Sequence, residues 1–162
     1  MSLVSDHTDP SAPVRWLDAD EQQAWRGIIR GTRHLIARID SDLKPLGLSG
    51  EDYALLVALA EADDGRLRMA ELAETSAQSR SRLSHHVGRL EKRGLVVRES
   101  CQEDRRGQWA MLTPEGQDLL ASAAPHHVAG VREHLIDHLT REELVMLGRV
   151  FGRLNTVEPD CT

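Results

Sequence analysis

Ser79-Arg-Ser-Arg-Leu-Ser-His-His-Val-Gly-Arg-Leu-Glu-Lys-Arg93, continued by Gly94 and by Leu95-Val-Val-Arg-Glu-Ser100, is the stretch on which the fold turns. Leu83, Val87 and Leu90 recur at spacings of four and three, the period of one buried helical face, and the serines and arginines fall opposite them. Gly94 predicts the end of that helix. Ahead of it, Met69-Ala-Glu-Leu-Ala-Glu-Thr75 has the pattern of a short helix. Beyond it, residues 95–100 predict a strand, Glu103-Asp-Arg-Arg-Gly107 a basic tip, and residues 108–112 a second strand. A helix-turn-helix followed by a basic β-hairpin is a winged helix, and the natural ligand of that shape is duplex DNA.

Charge placement supports the same ligand. The chain carries 20 Lys+Arg against 26 Asp+Glu, a net of −6. Residues 79–106 nevertheless hold eight basic side chains and only four acidic ones, Glu91, Glu99, Glu103 and Asp104. A basic strip on an acidic protein is the electrostatic footprint of a polyanion site, and the acidic remainder disfavours general coating.

The 162 residues allow one domain with a core, or a small domain with a dimerisation extension. An apolar fraction of 40% with 28% charged residues is ordinary globular composition. The first thirteen residues show no basic start and apolar run, and no segment approaches the ~20 apolar residues of a membrane span. These features predict a soluble, cytoplasmic protein. Cys101 and Cys161 make no disulfide framework, in keeping with a reducing compartment.

Helices are expected on both sides of the winged module. Asp18-Ala-Asp-Glu21 has N-cap spacing and precedes an apolar stripe of Trp25, Ile28, Ile29, Thr32, Leu35, Ile36, Ile39 and Leu43. Ser49 caps a second helix carrying Tyr53, Leu56, Val57 and Ala60. Thr113-Pro114-Glu115 starts a long helix, and Thr140-Arg-Glu-Glu143 caps a last one with Leu144, Leu147, Val150, Phe151 and Leu154 inward. The expected fold is mainly α with a small β-wing. Its parts are a disordered tail (1–15), a dimerisation helix (16–48), the winged helix-turn-helix (49–113), C-terminal dimerisation helices (114–156) and a second tail (157–162). Terminal helices with apolar stripes are poorly placed to bury themselves on so small a module, and pairing with a second copy is their simplest use. A two-fold homodimer then sets two recognition helices about one duplex turn, ~34 Å, apart on a pseudo-palindromic operator.

With these blocks in view, the chain resembles the MarR family of transcriptional regulators over residues 16–155. The resemblance rests on Ser79-Arg-Ser-Arg-Leu-Ser, Arg89-Leu-Glu-Lys-Arg-Gly-Leu95 and Asp104-Arg-Arg-Gly-Gln-Trp-Ala-Met-Leu-Thr-Pro-Glu-Gly116. It implies a homodimeric repressor with a winged helix in each arm. It also implies a wing arginine in the minor groove, here Arg106, steadied by an aspartate two residues earlier, here Asp104. Release from DNA by a small, often aromatic and anionic, ligand is implied as well.

The expected DNA-contacting set is Ser79, Arg80, Ser81, Arg82, Ser84, His85 and Arg89 on the recognition helix, with Arg98, Asp104, Arg105 and Arg106 on the wing. Arginine binds guanine O6 and N7 as a bidentate pair, and serines suit phosphates. An arginine at a hairpin tip suits a narrow minor groove, whereas Arg98 reads as a phosphate contact or a strand-face charge. Trp16, Trp25, Arg26, His34 and Tyr53 fall where the family fold borders its effector cleft, although Trp25 also reads as core. His134 and His138 at i, i+4 could share a metal, but no supporting ligand is identifiable, and packing is the preferred reading. Cys101 lacks a resolving partner and reads as an incidental thiol rather than a redox sensor. No cofactor or metal is called for, and no catalytic set has a defensible spacing, so the chain is read as no enzyme. The alternatives are a metal- or redox-responsive regulator of the same fold, or a winged-helix module that binds protein.

Overall fold

Arg80–Lys92 forms a helix, α4, whose two ends are set by Ser79 and Gly94 in a computed structural model describing residues 13–62, 64–100 and 107–155. Ser79 is its N-cap, its hydroxyl accepting the Arg82 amide at 3.3 Å. Gly94 takes φ +73° at the other end. There the Gly94 amide donates to the Glu91 carbonyl at 2.9 Å and the Leu95 amide to the Leu90 carbonyl at 3.0 Å. This pair of bonds satisfies carbonyls that the helix end would orphan, and a Cβ at Gly94 would strain it.

The remaining elements are α1 (Ala19–Leu43), α2 (Gly50–Ala60), β1 (Arg66–Arg68), α3 (Met69–Thr75), β2 (Val96–Ser100), β3 (Gln108–Leu112), α5 (Pro114–His134) and α6 (Arg141–Asn155), with 3-10 turns at Lys44–Leu46 and Ile136–His138. The strands form one antiparallel sheet in the order β1-β3-β2. The anticipated hairpin is therefore β2 and β3, and β1 is an addition that periodicity missed. Three residues are too few to show alternation, and Arg66-Leu67-Arg68 becomes a strand because β3 offers it an edge.

Thr113 joins the wing to the helices beside it. Its hydroxyl donates to the Gly94 carbonyl at 2.6 Å and accepts the Gly116 amide at 3.0 Å, and Pro114 opens α5. The expected capping boxes are present at Asp18/Glu21, with both bonds at 2.9 Å, and at Thr140/Glu143. No helix among the described residues is long and apolar enough to cross a membrane.

The chain divides into two units, residues 1–34 and 35–162. In the first, no described residue is buried. The second holds the core, in which Leu55, Leu56 and Leu59 of α2, Leu72 of α3, Leu83, Val87 and Leu90 of α4, Val96 and Ala110 of the sheet and Ala123 of α5 are shut from solvent. The face expected to be buried on the recognition helix is thus buried.

The terminal stripes are not. Of the α1 stripe only Leu43 is buried, and Trp25, Ile28 and Ile36 are 57%, 47% and 52% exposed. On α6, Phe151 and Leu154 are 45% and 60% exposed instead of turned inward. Each of these side chains keeps roughly half of its surface in solvent. A second correction concerns His134 and His138. The helix ends at His134 and His138 lies in the following 3-10 turn, so the two do not share a helical face.

Candidate nucleic-acid interface

Ser79, Arg80, Ser81, Arg82, Ser84, His85 and Arg89 are all exposed, whereas Leu83, His86, Val87 and Leu90 of the same helix are buried. The structure thus brings together the seven recognition-helix residues expected to meet DNA. Hydroxyls and guanidinium groups are the side-chain types that suit the acceptor-rich floor and phosphate walls of a major groove.

The helix is held from behind by a buried polar cluster. His86, almost fully buried, places Nε2 2.7 Å from Asp52 Oδ1, while its Nδ1 lies 3.4 Å from Gln78 Nε2. A carboxylate only accepts, so the ring donates from Nε2 to Asp52. Asp52 also caps α2, accepting the Ser49 amide at 3.0 Å, and the Arg93 guanidinium stands 3.9 Å away. Burial alone would raise the Asp52 carboxyl. The hydrogen bonds from the Ser49 backbone and the His86 ring outweigh it, and the carboxyl sits below its ordinary value. Ser49-x-x-Asp52 is legible as a cap in the sequence, but nothing local to it points to His86.

Two surface arginines are paired. Arg82 Nη2 meets Glu51 Oε1 at 2.6 Å, tying the reading face to the first turn of α2. Arg98 sits on the core-facing side of β2 and sets Nε and Nη2 3.1 and 2.6 Å from Glu91 Oε2 on α4. That hydrogen-bonded guanidinium holds the Glu91 carboxyl below its ordinary value. Arg98 therefore braces the wing against the recognition helix. On the opposite face of the sheet, Arg66 and Arg68 stack over Trp109 at 4.7 and 4.9 Å. Sequence reasoning missed these two arginines because it missed β1. Cys101, Asp104, Arg105 and Arg106 lie outside the described residues.

The MarR family's sequence profile matches residues 46–107, from the turn before α2 to the start of β3. The transcriptional regulator HosA of Escherichia coli O157:H7 is 33% identical over 96 residues, 59% of this chain and 69% of that protein. Among solved structures, AbsC, a MarR family transcriptional regulator from Streptomyces coelicolor, is 45% identical with a TM-score of 0.82, covering 87% of this chain and 95% of that one. Sco3205 of the same organism and family, solved in complex with DNA, is 44% identical with a TM-score of 0.86 over 92% and 95% of the two chains. The chain belongs to the MarR family. It is a DNA-binding transcriptional regulator with the winged helix-turn-helix fold of that family.

Of the residues that the MarR resemblance associated with an effector, Trp16, Trp25, Arg26 and His34 belong to the first unit and are exposed there. Arg26 donates to Gln22 Oε1 at 3.1 Å. Tyr53, in the second unit, is buried, with its ring stacked on His127 at 4.2 Å and 29°. It lines a groove of about 550 Å³ between α2, β1 and α5. His127 is one of eight histidines, and nothing in the sequence pairs it with Tyr53. His134 Nε2 is taken by Asp42 Oδ2 at 2.9 Å, and no group of three His, Cys, Asp or Glu among the described residues is arranged to hold a metal ion.

Proposed function

We propose that this MarR-family chain is a homodimeric repressor that occupies a pseudo-palindromic operator and leaves it when a small ligand binds. The observation that carries the reading is the exposed serine and arginine face of α4, backed by the buried His86–Asp52 cluster, which holds a row of donors ready for a duplex. Ser79, Arg80, Ser81, Arg82, Ser84, His85 and Arg89 then meet the major groove. Arg98, Asp104, Arg105 and Arg106 serve the wing, with Arg106 entering the minor groove and Asp104 steadying it. The DNA complex of Sco3205, 44% identical, supports duplex DNA as the partner. The exposed apolar side chains of α1 and α6 support the dimer, since isolated apolar patches of this kind mark association surfaces.

Fluorescence anisotropy with duplexes from the DNA flanking the protein's own gene tests this. Nanomolar, salt-sensitive binding of two chains per duplex is expected, with a strong loss for Arg106→Ala and a milder one for Asp104→Ala. Equal affinity for operator and scrambled duplex, or one chain per site, overturns the reading.

A further inference from the structure

The groove under Tyr53 has a charge of its own. Its walls are Tyr53, Val57 and Ala58 of α2, Leu67 of β1 and His127 of α5, with the Glu61 carboxylate at one end. Among the described residues, neither lysine nor arginine lines it. Glu61 is the C-cap of α2, so the carbonyl end of that helix adds its partial negative charge beside the carboxylate. The field of Glu61 is felt inside: burial first, and Glu61 second, push the Tyr53 phenol above its ordinary value. Burial also lowers the His127 imidazole below 6.5, which keeps that ring uncharged near neutral pH. The stacked Tyr53–His127 pair supplies an aromatic wall against which a ligand ring can pack. A volume of about 550 Å³ suits a single-ring molecule.

We infer that this groove binds an aromatic amine as its cation and rejects the corresponding carboxylate. An ammonium group meets the Glu61 carboxylate and the end of α2, while the ring lies against Tyr53, Val57 and Leu67. A carboxylate in the same pose meets like charge with no cation to offset it. The charge preference thus departs from the anionic ligand that the family resemblance implied. Its regulatory meaning rests on the reading of the chain as a ligand-released repressor, but the binding itself does not.

Tyramine and 4-hydroxyphenylacetate share a hydroxyphenyl ring and a two-carbon side chain and carry opposite charge, so they form a matched pair of probes. Calorimetric titration of the full chain at pH 7 should give tyramine at least a tenfold lower Kd. Glu61→Gln should shrink that ratio to within about threefold by weakening tyramine. Ala54→Trp, which places bulk in the groove from an exposed position, should weaken both probes at unchanged Tm. Equal or tighter binding of the acid, no binding of either probe, or a ratio that survives Glu61→Gln overturns the inference. Operator release is scored separately by anisotropy. Tyramine that binds through Glu61 yet leaves the operator complex intact would count against ligand-driven release and not against the groove.

Discussion

Asp52 is the residue on which the presentation of the recognition helix depends most. It joins the cap of α2 to a histidine 34 residues further along the chain. Asp52→Asn should cost about 1–3 kcal/mol, because a buried ring donor loses its charged acceptor. The pH dependence has a definite sign. The Asp52 carboxyl lies below its ordinary value of 3.8 in the folded chain, so its contribution is complete above that value and drains as pH falls through the folded one. Urea melts between pH 3 and pH 7 should show the acid limb flattened in Asp52→Asn. The Arg82–Glu51 pair is of another kind. Both side chains are more than half exposed, so Glu51→Gln should change stability by less than about 1 kcal/mol. Arg82→Ala should instead cost about 1–3 kcal/mol of base discrimination, read by binding selection on a randomised operator. A uniform loss across all sequences would make Arg82 a phosphate contact.

Among the elements, the turn between α3 and α4 carries local strain that a substitution can relieve. Ala77 takes φ 50°, and the Gln78 amide reaches back to the Ala73 carbonyl at 2.9 Å, a helix-ending geometry in which glycine is preferred. The left-handed conformation costs an L-residue about 1–2 kcal/mol, and glycine returns about 0.4–1 kcal/mol of that through the unfolded chain. Ala77→Gly should therefore stabilise the protein by about 0.5 kcal/mol and Ala77→Val should destabilise it, both measured from denaturation midpoints. The opposite order would mean that the Ala77 methyl group packs. The helices other than α3, whose N-cap is Arg68, were legible as periodic stripes bounded by Ser, Thr and Asp caps. The pair β2–β3 was legible around its basic tip, but β1 was not, since its partner lies some forty residues away.

At the scale of the whole molecule, the apolar faces of α1 and α6 make a strong demand on assembly. A chain ending before Thr140, which lacks α6, should sediment as monomer or aggregate and lose operator binding. Phe151→Glu, at an exposed position, should dissociate the dimer while leaving the thermal transition of the core in place. Sedimentation velocity beside anisotropy checks both, and a folded, DNA-competent monomer would refute the proposed assembly. The apolar stripes expected to pair with a second copy are indeed left open in the single chain. Trp25, Ile28, Phe151 and Leu154 have the spacing of buried positions and are exposed in the single chain. A hydrophobic pattern states that a face prefers burial and says nothing of which chain buries it.

The order of helices, their caps, the Gly94 stop and the serine and arginine face of α4 all follow from interactions within about one helical turn, and the residues alone were enough to read them. The brace of Arg98 on Glu91, seven residues apart, already needs β2 folded back on α4. The pairing of His86 with Asp52 and of His134 with Asp42, 34 and 92 residues apart, depends on how whole helices dock. So does the groove in which Tyr53 meets His127 and Glu61. A histidine or a carboxylate carries no local mark of its partner, because burial and charge pairing are set by neighbours that packing brings from elsewhere in the chain.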